Sequence, residues 1–204
     1  MATSRSIARA SLCGWAETVS AIPSGTTARH LPGFSAPAVG FEQPFAMLEA
    51  CHERVLRTLA LLARLRTHVQ QHGADADARQ AARDVLRYFD IAAPLHHQDE
   101  ELHVFPLLLT HADPEVRALV QRLQEDHVAM AAEWAAARVP LQALAEAAVA
   151  PFTPGDEAAL DRFARRYAGH IVAEEGTAYP AMQALLAPVA LIAMGQEMAA
   201  RRGA

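Results

Sequence analysis

The chain has no lysine; all eighteen of its basic side chains are arginine. That reflects codon usage more than a mechanism, and no function follows from it. Cysteine is scarce. Cys13 and Cys51 stand in no CxxC pair, which excludes a disulfide framework and leaves both thiols expected in the reduced state. A formal net charge of −5 and a pI near 6.0 give no basic face for phosphate, so nucleic acid is not expected as a partner. No apolar run approaches the roughly eighteen residues of a membrane span, and a soluble, cytoplasmic protein is expected.

What is abundant is alanine and histidine. Hydrophobic residues make up 52% of the 204 positions but aromatics only 6%, a balance that favours helices within one domain of ordinary size. Ten histidines are the unusual count. Residues 1–40 carry Arg and Ser with no acid before Glu17, then Pro, Gly and Ser, and read as a mobile N-terminal leader.

From Phe41 the pattern becomes helical. Phe45, Leu48, Val55, Leu59, Leu62, Leu65 and Val69 recur at helical spacing up to a turn at 72–75. A second helix is expected from about Asp77 to Leu109, bent by Pro94 and Pro106. Asp113-Pro114 starts a third, which runs past Trp134 and which Pro140 should kink or end. Thr153-Pro154-Gly155-Asp156 starts a fourth, running to about Leu186, and Pro188 opens a short tail helix. No strand-like alternation competes. Short loops between long helices predict an all-α, up-down-up-down antiparallel four-helix bundle over 41–187, followed by a tail helix at 188–204.

The chain also repeats itself. HHQDEELHVFP (96–106) and HIVAEEGTAYP (170–180) share a first His, two acids four and five residues on, an aromatic nine on and a proline ten on. Single histidines, His52 in LEACHERV and His127 in LQEDHVAM, precede them at matching places. Each copy is therefore a helix pair with a lone His on one helix and a His plus two acids on the other, which supplies two half-sites.

Residues four apart on a helix share a face, so His96 with Glu100 and His170 with Glu174 each aim an imidazole and a carboxylate the same way. A single such pair is ordinarily a surface pair. Here it occurs twice, at matching offsets from an aromatic and a proline. With His52 and His127, the set is four imidazoles and two carboxylates, which Fe, Zn, Mn or Cu would accept. Buried without a partner, each ionised group would cost several kcal/mol, and divalent cations are the natural compensation. His30, His68, His72, His97, His103 and His111 read as ordinary, although His97 rivals His96 by adjacency and His103 lies near the site's edge. Cys51 reads as a packed thiol, Glu53 and Arg54 as solvated surface, and Asp126 as a carboxylate that orients a neighbouring ligand.

These motifs, in this order and spacing, resemble the hemerythrin-like HHE cation-binding family over about residues 41–187. The resemblance implies a non-haem di-iron centre with two Fe ions, a bridging oxo or hydroxo group and an open position for O2, NO or a peroxide; Zn or Mn would be substitutes. It implies His52, His96, His127 and His170 as terminal ligands and Glu100 and Glu174 as bridges. Two departures stand out. Oxygen carriers of the family place a further His where this chain has Ala131, and their fourth-helix acid would fall at Glu175. Agreement with Glu100 in the repeat favours Glu174.

A binding protein for sensing, storage or iron handling is thus the leading expectation. A di-iron oxidoreductase consuming peroxide or NO, with Trp134 and Tyr167 as redox aromatics, and a metal-free structural module are the competitors. The helical spacing of those aromatics also fits plain core packing. The tail can pack on the bundle or on a second copy in a homodimer.

Overall fold

The structure, a computed structural model, describes residues 39–147 and 152–204. All but the last two residues of the expected leader lie outside them. Every element is helical, and there is no strand among the described residues. The first helix is Pro44–His72 and the third Pro114–Ala145. The second, residues 76–111, is one continuous run of five segments, Ala76–Arg87, Tyr88–Ala92, Ala93–Asp99, Glu100–Val104 and Phe105–His111. The fourth, residues 154–185, runs Pro154–Ala173, Glu174–Ala178 and Tyr179–Leu185. A fifth helix, Pro188–Arg201, follows.

The starts obey local chemistry. Asp113 caps the third helix by accepting from the amides of Glu115 and Val116, with Pro114 where no amide is needed. Thr153 and Asp156 close a reciprocal capping box on the fourth, and Asp75 accepts from Ala78 N–H to start the second. The first helix ends at Gly73, whose φ of 79° suits glycine while its amide reaches back to the Val69 carbonyl. The third helix continues through Pro140 to Ala145, so that proline does not end it.

Prolines mark three π-helical turns. Tyr88–Ala92 precedes Pro94, Glu100–Val104 precedes Pro106, and Glu174–Ala178 precedes Pro180. A proline has no N–H to give and its ring crowds the carbonyl one turn back, and a wider turn relieves both. Where the sequence predicts bends at Pro94 and Pro106, the structure places these turns just upstream. Two of them begin at Glu100 and Glu174.

Side-chain pairs fix how the helices meet. The first and second meet at His52 with His96 and at His68 with Asp75. The second and third meet at Asp90 with Arg138 and at Glu101 with Gln124. The third and fourth meet at Glu133 with Arg166 and at His127 with His170. The first and fourth meet at Arg66 with Asp161 and at His52 with Glu175.

The apolar interior falls into two clusters. One gathers Leu62, Val85, Phe89, Leu141, Leu160 and Phe163, the other Leu48, Phe105, Leu108, Leu123, Tyr179 and Met182. On the first three long helices the buried polar residues stand in sequence between the two, and on the fourth His170 and Glu174 flank the change from one to the other, with Ile171 of the first cluster between them. Among the described residues no helix is long and apolar enough to cross a membrane.

The fifth helix is fastened to the rest of the chain. Met194 and Met198 enter the second cluster, and Arg202 sits over the Phe41 ring at 5.5 Å. Gly195 lies against backbone, and a Cβ there would stand 1.9 Å from the Phe41 carbonyl oxygen. Gly195→Ala should therefore destabilise the fold by about 1–3 kcal/mol through overpacking, read as a lower urea midpoint. An unchanged midpoint would show that this contact is not required.

Candidate metal centre

All six residues that the sequence singles out come together. His52 arrives from the first helix, His96 and Glu100 from the second, His127 from the third, and His170 and Glu174 from the fourth. All are buried, and both glutamates have 0% of their surface exposed. Donor atoms of His52, His96, Glu100 and Glu174 lie within 4.8 Å of one another, as do those of His127, His170 and Glu174.

Each carboxylate spans the two groups. Glu100 Oε1 faces His96 Nε2 at 3.5 Å, while its Oε2 faces His127 Nε2 at 3.4 Å. Glu174 Oε2 faces His52 Nε2 at 3.2 Å, while its Oε1 faces His170 Nε2 at 2.9 Å and His127 Nε2 at 3.7 Å. The Nε2 atoms of His127 and His170 stand 3.0 Å apart.

Those separations suit a shared ion. Two donors each about 2.1 Å from one metal and at right angles are about 3 Å apart. Both Glu174 oxygens and Glu100 Oε2 are buried without a hydrogen bond, although imidazole nitrogens lie at contact distance. Close approach without hydrogen-bond alignment is what atoms show when they converge on a common point. The donor set fits divalent cations of the N/O-preferring kind.

The second acid of each motif has its own place. Glu175 Oε1 holds His52 Nδ1 at 2.8 Å, and Glu101 Oε1 holds His127 Nδ1 at 2.9 Å, with Gln124 donating to the other Glu101 oxygen. Each doubled acid thus sends its first member inward and its second to the lone His of another helix. Glu174 and not Glu175 lies in the centre. A carboxylate on Nδ1 fixes the ring and leaves Nε2 free to bind a cation. His170 Nδ1 faces Asp126 Oδ2 at 3.5 Å, where the sequence places an orienting carboxylate, and Arg166 anchors Asp126. His96 Nδ1 has no partner.

His97 lies outside both donor groups. Its ring stacks on His127 with centroids 4.1 Å apart and planes 14° from parallel. It lines a cavity of about 170 Å³ together with Phe89, Ala93, Ala131, Trp134 and Tyr167. Trp134 packs on Phe89 and Phe163 and donates its indole N–H to Asp90; Tyr167 joins the same aromatic cluster. Cys51 is buried beside Met47, as a packed thiol should be. His103 pairs with Glu197 of the fifth helix, away from the centre.

Sequence reasoning missed two features. The Tyr179 hydroxyl donates to Glu100 Oε1, and the only signal for it was the shared aromatic position. Asp99, fully buried one residue before Glu100, is held by Arg201 at 2.9 Å and Arg202 at 2.6 Å. That clamp comes from the C-terminal end of the fifth helix and the residue after it, and no spacing rule foretells it.

An all-helical set of elements among the described residues, with a buried His/Glu cluster shared among four long helices, defines a candidate cation-binding helical protein. The family model of the hemerythrin HHE cation binding domain matches residues 43–182, and the chain belongs to that family. An uncharacterized protein of Haemophilus influenzae is similar to it, 33% identical over 162 residues that span 79% of this chain and 91% of the relative.

The electrostatics respond to the carboxylates. Burial works against a charged His127, but Glu100 and Glu174 outweigh it and raise its pKa to about 10. Burial likewise pushes the Glu174 carboxyl up, yet His127, His170 and His52 hold it well below the usual range. His97 goes the other way, pushed down by burial and by its imidazole neighbours. A raised histidine pKa stabilises the fold fully below its ordinary 6.5, and that contribution is lost as pH climbs to about 10. The depressed Glu174 contributes above its ordinary 4.5 and loses that contribution on acidification. Metal-free protein should therefore be most stable between these two values, and its melting temperature should fall from pH 6.5 toward 10. A flat profile there would contradict the His127 assignment.

Proposed function

We propose that the chain is a non-haem di-iron protein of hemerythrin-like type, whose centre binds O2, NO or a peroxide for sensing, storage or iron handling. One observation carries this reading. Two buried carboxylates each divide their oxygens between the two groups, Glu100 facing His96 with one and His127 with the other, Glu174 facing His52 with one and His127 and His170 with the other. In it His52, His96, His127 and His170 would hold two Fe ions as terminal ligands, with Glu100 and Glu174 as the carboxylates they would share. The long helices form an up-down-up-down antiparallel bundle over residues 41–187, with 188–204 as its appended tail helix. The pairings His68 with Asp75 and His52 with His96 favour that topology, because partners descend one helix as they climb the next.

The ions would supply a reversible change of oxidation state and an open coordination position. The chain does the rest. Glu175 and Glu101 keep the Nε2 atoms of His52 and His127 facing inward. Two apolar clusters in the same four helices limit water around the polar layer. Ala131, where a further imidazole would stand in an oxygen carrier, lines the cavity beside His97 and leaves room for a small uncharged ligand.

That cavity also favours a second reading, a di-iron oxidoreductase consuming peroxide or NO. Sustained consumption with an added reductant separates the two, because a binding protein stops at stoichiometric uptake.

Elemental analysis of purified protein is expected to give close to two irons per chain, with a visible band that appears when the reduced form meets air. His96→Ala and His170→Ala should each lose bound metal, and unchanged content in both would reject the site. Two zinc or manganese ions would keep the site and change the chemistry. No uptake after anaerobic reconstitution would favour a metal-free structural module. In the loaded protein, Glu175→Gln and Glu101→Gln should weaken metal binding about 10–100-fold, measured by chelator competition.

A further inference from the structure

The two copies of the repeat put an aromatic nine residues after the His, Phe105 in one and Tyr179 in the other. Both rings do the same packing work. Phe105 lies over His127 with centroids 5.5 Å apart, and Tyr179 over His52 at 5.7 Å with planes 6° from parallel. The rings differ by one hydroxyl, and that hydroxyl is used. Tyr179 donates it to Glu100 Oε1, with His52 Nε2 3.4 Å away. Phe105 offers Glu174 nothing comparable.

We propose that Tyr179 is a positioning residue that fixes the Glu100 carboxylate between His96 and His127 and thereby sets the affinity of the ion position at His52 and His96. The inference rests on the metal-binding reading above. A glutamate side chain has several rotatable bonds, and ordering it costs conformational entropy. Glu174 is surrounded by three imidazole nitrogens, from His52, His127 and His170. Glu100 has two, at 3.4 and 3.5 Å, and its one hydrogen bond comes from Tyr179. That bond pins Oε1 on the His96 side and so presents Oε2 to His127. The donor sits on the fourth helix and the acceptor on the second, so one copy of the repeat orders the bridge of the other. The reverse contact is lost with Phe105.

The matching support for the histidines is weakest on the same side. Neither His96 Nδ1 nor His170 Nδ1 has a hydrogen bond, but His170 Nδ1 has the Asp126 carboxylate 3.5 Å away and His96 Nδ1 has no carboxylate facing it. Cys51, which precedes His52 as Asp126 precedes His127, brings no carboxylate. The position at His52 and His96 therefore depends more on Tyr179 than its counterpart depends on Phe105.

The test is a Zn(II) titration of metal-free, full-length protein against a chromophoric chelator, comparing wild type with Tyr179→Phe and with His96→Asn. Wild type should take up two ions. Tyr179→Phe should weaken one step by about 10–100-fold, the step that His96→Asn abolishes, and leave the other within about twofold. Circular dichroism and the melting temperature of the metal-free variant check folding. Two unchanged steps, or two steps weakened alike, would overturn the inference while leaving the metal reading intact. A wild-type chain that takes up no ion overturns the metal reading, and the inference falls with it.

Discussion

Everything in this structure is arranged around the burial of two carboxylates. Glu100 and Glu174 have no exposed surface, and an isolated buried carboxylate costs several kcal/mol even after the protein relaxes. Among the described residues, imidazoles of the four central histidines are the partners within reach of Glu100 Oε2 and both Glu174 oxygens. Without a metal, part of the compensation is a proton, held on His127 well above its ordinary range. If cations are bound there as proposed, the same nitrogens would become donors and the proton would have to leave. Ion binding and proton release are therefore two faces of one requirement, and metal affinity at such a site falls as pH falls.

The backbone meets that requirement through its prolines. Pro106 and Pro180 follow the glutamates by six residues, and the wide turns they impose begin at Glu100 and Glu174. A wide turn changes the angle between consecutive side chains. At both turns the first of the doubled acids enters the centre, and the second reaches the Nδ1 of a histidine on a neighbouring helix. Proline, which would weaken an ordinary helix interior, is accommodated here at the turns that carry the buried glutamates.

Much of this was legible in the sequence because it rests on local rules that repeat. Capping residues at Asp113 and Thr153, the apolar stripe of the first helix and the i to i+4 spacing of His96 with Glu100 depend only on near neighbours in the chain. The duplication let one motif check the other, and it favoured Glu174 over Glu175 and His96 over His97, the arrangement the structure shows. What stayed hidden depends on contacts between distant segments. Tyr179 with Glu100 is separated by 79 residues and Asp99 with Arg202 by 103, and no periodicity links either pair. Pro140 shows the converse limit. A strong local signal for interruption yields where the flanking residues, Ala137, Leu141 and Leu144, are all buried in the core and keep the helix in place.

The duplicated halves have also ceased to be equivalent, and the differences fall on one side. Beside Glu100 stands Asp99, buried and held by Arg201 and Arg202, where the second copy has Ala173. The residues that clamp it, Arg201 at the end of the fifth helix and Arg202 just after it, lie beyond the 43–182 stretch that the family shares. A buried carboxylate paired with two guanidiniums is costly to break, since removing either partner strands a charge in the interior. The clamp therefore ties the turn that carries Glu100 to a segment outside the family's own boundary. The second copy has its own anchor, Arg166, which bridges Asp126 and Glu133 from the fourth helix. One half of the centre is held by the helices that form it, the other partly by an added helix. An extension that packs against the turn carrying Glu100 is thus structurally part of the candidate site, although it supplies none of its six central residues.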